Sequence, residues 1–385
     1  MSIIEDLFRN FSLQSIWGII FILYAAAWLI LMIYHWLVFS RIALFKKQAP
    51  LKTEAELPPV SIVIAAKNEY HNLSRFLPLI LQQNYPDFEV IIVNDASDDD
   101  SAELLDDLKQ KNKHLKVINL YKNFNFFKGK KFPLSVGIRS AKHEHLLLTD
   151  ADCKPYSNLW IKTMLSSYGK DTQIVLGYGK YEHKKTFLNK IQRYDTLFTA
   201  MQYFSFALLG DPYMGVGRNL SYVKTLFQKS KGFSSHYKIK SGDDDLFINK
   251  VAGKHNTAIC AEQNGFTISR STATFGHWVK QKRRHLTTGK YYKPRHKLML
   301  GVFNISRFVF WATLIALLIR FFNAGYVITS GILLLGTFLF ILKNIMRKFD
   351  EKHLLLLSPF LDIILLISYV FITFANLMRK PDKWK

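Results

Sequence analysis

Leu146-Leu147-Leu148-Thr149-Asp150-Ala151-Asp152 is the stretch on which the reading of the chain turns. Three consecutive leucines predict a short, fully buried strand, and two carboxylates follow where that strand leaves its sheet. Side chains at i and i+2 of extended backbone share a side. Asp150 and Asp152 can therefore converge on one hard cation while Ala151 faces away. Two carboxylates, with the remaining positions left to water and phosphate, suit Mg²⁺ or Mn²⁺ carrying a diphosphate. A solvated Asp-x-Asp turn would have the same spelling, so the surrounding chain has to decide.

On the amino-terminal side, apolar runs alternate with amphipathic ones. Val60 to Ala65 predicts a strand, followed by Lys67-Asn68-Glu69 and a helix from His71 to Leu81. Val90 to Val93 predicts a second strand, ending in Asn94-Asp95-Ala96-Ser97-Asp98-Asp99. A helix over Ser101 to Lys113, a strand over Lys116 to Leu120 and a helix over Lys131 to Ala141 lead to the strand 146–149. Strands alternating with helices imply an α/β fold with a mostly parallel sheet and right-handed crossovers. Ligands of such sheets sit at the carboxyl ends of the strands, and three strand ends here carry polar groups. No Gly-x-Gly-x-x-Gly follows the first strand and no Walker lysine loop is present, which disfavours dinucleotide and P-loop enzymes.

The 385 residues are not one uniform globule. A mean hydropathy of +0.04 averages apolar ends and a charged middle. Ile16 to Phe39 contains His35 as its one ionisable residue and is long enough for a membrane helix. Glu5 and Asp6 precede it, while Arg41, Lys46 and Lys47 follow, so it is expected as a retained anchor with residue 41 onward in the cytoplasm. Leu298 to Phe321, Tyr326 to Leu342 and Leu354 to Leu377 are three further candidate spans. The basic loop Lys343 to Lys352 fits the cytoplasm. Counting spans puts the carboxyl end outside, whereas Arg379, Lys380, Lys383 and Lys385 argue for inside. Pro359 and Asp362 therefore make the last segment the candidate for a re-entrant or interfacial element. The expected division is an anchor over 1–45, a catalytic domain over 46–297 and membrane helices over 298–385.

A formal charge of +23 calls for anionic partners. No aromatic-basic repeat, zinc spacing or recognition-helix pattern supports nucleic acid; anionic headgroups and a nucleotide diphosphate account for the excess. Cys153 and Cys260 lack metal spacing and are expected as thiols.

In series, these motifs resemble the family-2 glycosyltransferases with a GT-A fold, in their membrane-anchored branch, over about residues 58 to 290. VSIVIAAKNE resembles the opening strand and loop that receive the nucleobase, which implies donor contacts from Ala65, Lys67 and Glu69. VIIVNDASDD resembles the second motif and puts Asp95 on the base, where it can accept from a uracil N–H; this favours a UDP-sugar donor. Asn94 and Ala96 depart from the commonest pattern. Gly129-Lys130-Lys131-Phe132-Pro133-Leu134 is similar to an element that places a lysine, here Lys130, near the nucleotide. Asp150 and Asp152 match the metal motif.

Gly215 to Tyr222 resembles an acceptor-side segment, implying roles for Gly217 and Asn219, although a plain turn before a helix would look alike. Ser241-Gly242-Asp243-Asp244-Asp245-Leu246 aligns Asp243 with the general base, and Gly242 stands where glutamate is usual. Asp244 and Asp245 are also expected as helix-start carboxylates. Gln281-Lys282-Arg283-Arg284-His285 resembles Gln-x-x-Arg-Trp, with Gln281 on the sugar, Arg284 on the diphosphate and His285 in the tryptophan position. A basic helix on anionic lipid fits the same residues. The resemblance implies an inverting, Mg²⁺- or Mn²⁺-dependent hexosyl transfer to a lipid or glycan acceptor at a bacterial inner membrane, with the catalytic domain cytoplasmic. A processive polysaccharide synthase and an inactive, membrane-tethered scaffold are the alternatives.

Overall fold

The computed structural model describes residues 15–46, 51–120, 129–239 and 241–378. Its centre is a parallel run of four strands: β1 (Val60–Ala66), β2 (Phe88–Asp95), β3 (Leu115–Leu120) and β4 (His145–Leu148). β1 lies between β2 and β4, with Val63 facing Ile91 on one side and Leu148 on the other. The three intervening helices, Tyr70–Leu81, Ser101–Lys111 and Lys131–Ser140, are the crossovers that parallel pairing requires. Because both faces of β1 and β2 are covered, these strands are continuous β-branched runs without polar alternation. Gly137 lets the third crossover helix lie against the sheet; a Cβ there would come 2.6 Å from a Val63 methyl.

Beyond Asp152 the sheet becomes mixed. β5 (Cys153–Pro155), β6 (Ile174–Leu176), β7 (Gly179–Tyr181), β8 (Leu220–Val223), β9 (Thr257–Ile259) and β10 (Thr267–Ser269) are all short. The large sheet runs β3-β2-β1-β4-β8-β6-β9, and β8 is antiparallel to both β4 and β6. β5, β10 and β7 form a second, three-stranded sheet. β4 ends one residue before the expected limit. Thr149 leaves the ladder and its hydroxyl donates to the Arg218 carbonyl at 2.8 Å. The segment before Leu220 leads into β8, and no helix starts there.

Among the described residues, four helices are long and apolar enough to cross a membrane: Ile16–Leu44, with a π-helical turn at Tyr34–Phe39, Pro294–Ile319, Ala324–Lys348 and Ser358–Met378. Their outer faces leave Ile319, Phe371 and Leu377 more than 70% exposed, as a lipid-facing surface would. They pack on one another through Tyr24, whose hydroxyl donates to the Val327 carbonyl at 3.0 Å, and Tyr34, which donates to Met299 O at 2.6 Å. The last segment, the candidate for a re-entrant or interfacial element, forms one continuous helix over Ser358–Met378. Pro359 occupies the first turn, where its missing N–H is not needed. Asp362 accepts from Arg307 at 2.6 Å and from the Tyr194 hydroxyl at 3.2 Å. Glu5, Asp6, Lys47 and the basic residues from Arg379 on lie outside the described residues, so the two sides of the membrane remain an expectation from charge.

The helix Phe187–Leu208 is buried on nearly every side and joins the sheet domain to these helices. Its Arg193 pairs with Glu351, and its Asp195 takes Lys282 and the Tyr369 hydroxyl.

Candidate active site

The carboxyl ends of β1, β2 and β4 share one edge of the sheet, and the loops leaving them are tied together. The Asn68 N–H donates to Ser97 Oγ at 2.9 Å, the Asp98 N–H to Asn68 Oδ1 at 2.8 Å, and the Tyr70 N–H to Asp99 Oδ2 at 3.0 Å. Asn94 accounts for its own departure from the family pattern. Its amide donates to Asn119 Oδ1 at 3.0 Å and its oxygen takes the Ser97 hydroxyl at 2.6 Å, which fixes the turn at Ala96 where φ is +49°. Asp95 is buried at the tip of β2, while Lys67 is exposed beyond β1.

Asp150, Asp152 and Cys153 bring one ligand atom each within 4.8 Å of one another. Burial, reinforced by Asp150 and then Glu69, raises the Asp152 pKa, so extra positive charge is favoured there. The cysteine is not a fitting ligand: burial and then Asp152 push its thiol well above the ordinary range, and oxygen is what a hard cation takes. The donor set that fits Mg²⁺ or Mn²⁺ is therefore Asp150 and Asp152.

Lys130 connects this pair to the predicted base. Its ammonium is paired with Asp150 Oδ1 and lies 3.4 Å from Asp243 Oδ2. Burial opposes the charge, but Asp150 and then Asp243 outweigh it and raise the lysine pKa. Burial likewise opposes ionisation of Asp243, and Lys130 prevails and holds that carboxyl below its usual value. The neighbouring residue, unassigned by the sequence, does different work: Lys131 donates to the carbonyls of His236, Ile239 and Ser241 at 2.6 to 2.8 Å, holding the loop that delivers Asp243. Gly242, in place of the family's glutamate, has φ +95°, and a Cβ there would lie 2.5 Å from Leu246 Cδ1. This backbone accepts glycine alone.

Asp244 and Asp245 begin the helix Asp245–Val251, as expected of helix-start carboxylates. Asp244 takes the Gly217 N–H at 2.7 Å and the Asp245 N–H at 2.7 Å. Burial, then Asp243 and Asp245, push its pKa up to about 7. Asp245 accepts from Thr288 and from the Tyr292 hydroxyl, fastening the end of the helix Phe275–Leu286 beside the pocket. That helix is held from its far side too: Arg283 donates to Asn376 Oδ1 at 2.9 Å and to the Ala375 carbonyl at 3.1 Å.

The same helix carries Gln281, Arg284 and His285. Gln281 Oε1 accepts from the Tyr181 hydroxyl at 3.4 Å, and Arg284 has a buried Nε without a hydrogen-bond partner among the described residues. Desolvation, then Lys282, Arg284, Arg218 and Lys130, hold His285 well below its ordinary pKa. It is therefore a neutral ring among cations.

Arg218 is the cation that sequence reasoning missed. Its guanidinium lies over the Tyr181 ring at 4.7 Å, donates to Ser269 Oγ at 2.9 Å and feels Asp152 and Asp150. Its neighbour Asn219 faces the other way. That side chain accepts from Trp160 Nε1 at 3.1 Å and donates to the Tyr178 and Gly265 carbonyls at 3.1 and 2.7 Å, all buried. It belongs to the core between the two sheets. Gly217 does reach the pocket: a Cβ there would stand 3.4 Å from Lys130 Nζ.

A mostly parallel sheet with a carboxylate pair at the end of its central strand, a small second sheet beside it and flanking apolar helices define a GT-A glycosyltransferase domain. The fold is shared with a mannosyltransferase from Pyrobaculum calidifontis solved with GDP-Man and Mn²⁺, at TM-score 0.58 and 17% identity over 90% of this chain and 98% of that one. Residues 61–229 match the family model Glycosyl transferase family 2. It is also similar to two proteins named poly-beta-1,6-N-acetyl-D-glucosamine synthase. The one from Staphylococcus epidermidis is 26% identical over 303 residues, covering 74% of this chain and 66% of the relative. The one from Staphylococcus aureus is 28% identical over 206 residues, covering 51% and 45%. The chain thus spans about half to two thirds of the length of these curated relatives.

Proposed function

We propose that this chain transfers a hexosyl group, with inversion, from a nucleoside-diphosphate sugar to a lipid-linked or glycan acceptor at a membrane surface, its catalytic domain in the cytoplasm. The observation that carries the reading is Lys130, one ammonium in contact with a metal-type carboxylate, Asp150, and the candidate base, Asp243. Asp95 supports uridine as the donor base, and the names of the two staphylococcal relatives support N-acetylglucosamine as the sugar and a glycan as the acceptor. The four apolar helices support the membrane setting.

Asp243 takes the proton of the acceptor hydroxyl as that oxygen attacks the anomeric carbon, whose bond to the diphosphate breaks. Lys130 and Arg284 bind the diphosphate oxygens as negative charge grows on them. Asp150 and Asp152 would hold a divalent cation, which would supply further neutralisation of that charge. Once Lys130 engages the diphosphate it no longer depresses the Asp243 pKa, so the base strengthens when the donor is bound.

Released nucleotide from the purified protein in lipid, measured against a panel of nucleotide sugars, tests the reading. Asp243→Asn should lower transfer by roughly 10² to 10⁴ with nucleotide binding retained; full turnover would remove Asp243 from the role. Product length separates single transfer from polymerisation. His285 in place of tryptophan favours the former, and the relatives' names favour the latter. Silence with every donor, in an intact fold, would favour the scaffold reading.

A further inference from the structure

Beside the small sheet, the helix Tyr70–Leu81, β5 and β10 enclose a surface cavity of about 270 Å³. Arg75, Lys154 and Arg270 line it, with Phe76, Leu79 and Ile268 between them. Among the described residues none of the three cations is paired with a carboxylate. Arg270 is instead held 5.7 Å over the Phe76 ring. The one acidic wall residue, Glu182, is occupied by Lys184 at 2.7 Å. Ser269 completes the wall. Its side chain is buried and turned to Arg218 on the other face of β10, so the charged groups alone present donors to the cavity.

Three unpaired cations exclude a metal ion and attract an anion. A single carboxylate would leave two of the three charges unanswered, whereas the oxygens of a phosphoryl group can meet two arginine forks and an ammonium together. The volume decides the size class. An open hollow of this size admits a phosphate or diphosphate with a few waters.

We propose that this cavity is a second oxyanion site, taking a phosphoryl group carried by a soluble small molecule, separate from the pocket at Asp150. It goes beyond the transfer reaction and stands independently of it. Two sources share this chemistry, free phosphate or pyrophosphate and the diphosphate of a nucleotide.

The test is equilibrium dialysis of radiolabelled pyrophosphate and UDP against the full chain in lipid nanodiscs, with EDTA present. Lys130→Gln/Arg284→Gln should leave pyrophosphate binding at the cavity intact. Arg75→Gln/Lys154→Gln/Arg270→Gln should weaken that binding by roughly tenfold or more, while Mn²⁺-dependent nucleotide binding at the Asp150 pocket, measured separately with Mn²⁺ in place of EDTA, persists. If the triple variant fails to fold, Arg75→Gln and Arg270→Gln singly should each weaken binding roughly threefold. Of the binding that the triple variant removes, UDP no tighter than pyrophosphate assigns the site to the free anions, and tighter UDP assigns it to a nucleotide. Wild-type affinity and stoichiometry in the triple variant, or loss of all binding in Lys130→Gln/Arg284→Gln, would overturn the proposal. Failure of transfer alone would not touch it.

Discussion

Replacing Lys130 by methionine keeps the length of the side chain and removes its charge, and the two functions of the pocket should then move in opposite directions. At 3.4 Å from Asp243, and at an effective dielectric near 20, a unit charge pair is worth about 5 kcal/mol. Both side chains retain some exposure, 19% and 16%, so solvent screening brings the working figure to about 2 kcal/mol. Lys130 is closer still to an oxygen of Asp150, so the same working figure is a fair measure of its competition with any cation there. Without nucleotide, Lys130→Met should therefore bind Mn²⁺ more tightly, by about 30-fold for about 2 kcal/mol. Turnover should fall by roughly 10² to 10³, because a charge aimed at the leaving diphosphate is gone. Free Mn²⁺ followed by electron paramagnetic resonance gives the first quantity, and released nucleotide gives the second. Unchanged or weaker metal binding, or wild-type turnover, would refute the reasoning.

Asn219→Ala should act on stability. It strands the Trp160 indole N–H and two buried carbonyls, at about 1 to 3 kcal/mol for each unsatisfied group, so the thermal midpoint should drop sharply while the KM of the surviving enzyme stays near wild type. A raised KM with unchanged stability would return Asn219 to the acceptor side. Gly242→Glu restores the family residue but should abolish folding of the 241–245 loop, seen as loss of turnover and of protease resistance; a fully active variant would contradict the positive φ. Asp244 binds its proton more tightly folded than unfolded, so its contribution to stability is complete below about pH 4 and is lost as pH rises through about 7. Asp244→Asn should flatten that decline in thermal midpoint, and an unchanged slope would assign it to other groups.

The first half of the sheet was legible because burial on both faces writes β1, β2 and β4 as unbroken apolar runs, each followed by its carboxylates. The second half was not. β5, β6, β7, β9 and β10 span three residues each, too few to show a period, and β8 inserts between β4 and β6 from more than 40 residues away. The pocket followed the same division. Asp150, Asp152, Lys130 and Asp243 were readable from ordered motifs and do meet. Arg218 and Asn219 adjoin in sequence, yet one turns toward the carboxylates and the other into the core, because Leu220 opens β8 immediately after them. Lys130 and Lys131 pose the same difficulty: two identical residues, one at the site and one tying down a loop, told apart by helix geometry alone.

The central claim is that Asp150 and Asp152 grip a cation shared with the diphosphate of the donor. Calorimetric titration of UDP with and without Mn²⁺, in wild type and in Asp150→Asn/Asp152→Asn, tests it most directly. The account predicts Mn²⁺-dependent binding in the wild type that weakens by roughly 100-fold or more in the double variant. Equal, Mn²⁺-dependent affinity in both proteins would contradict it.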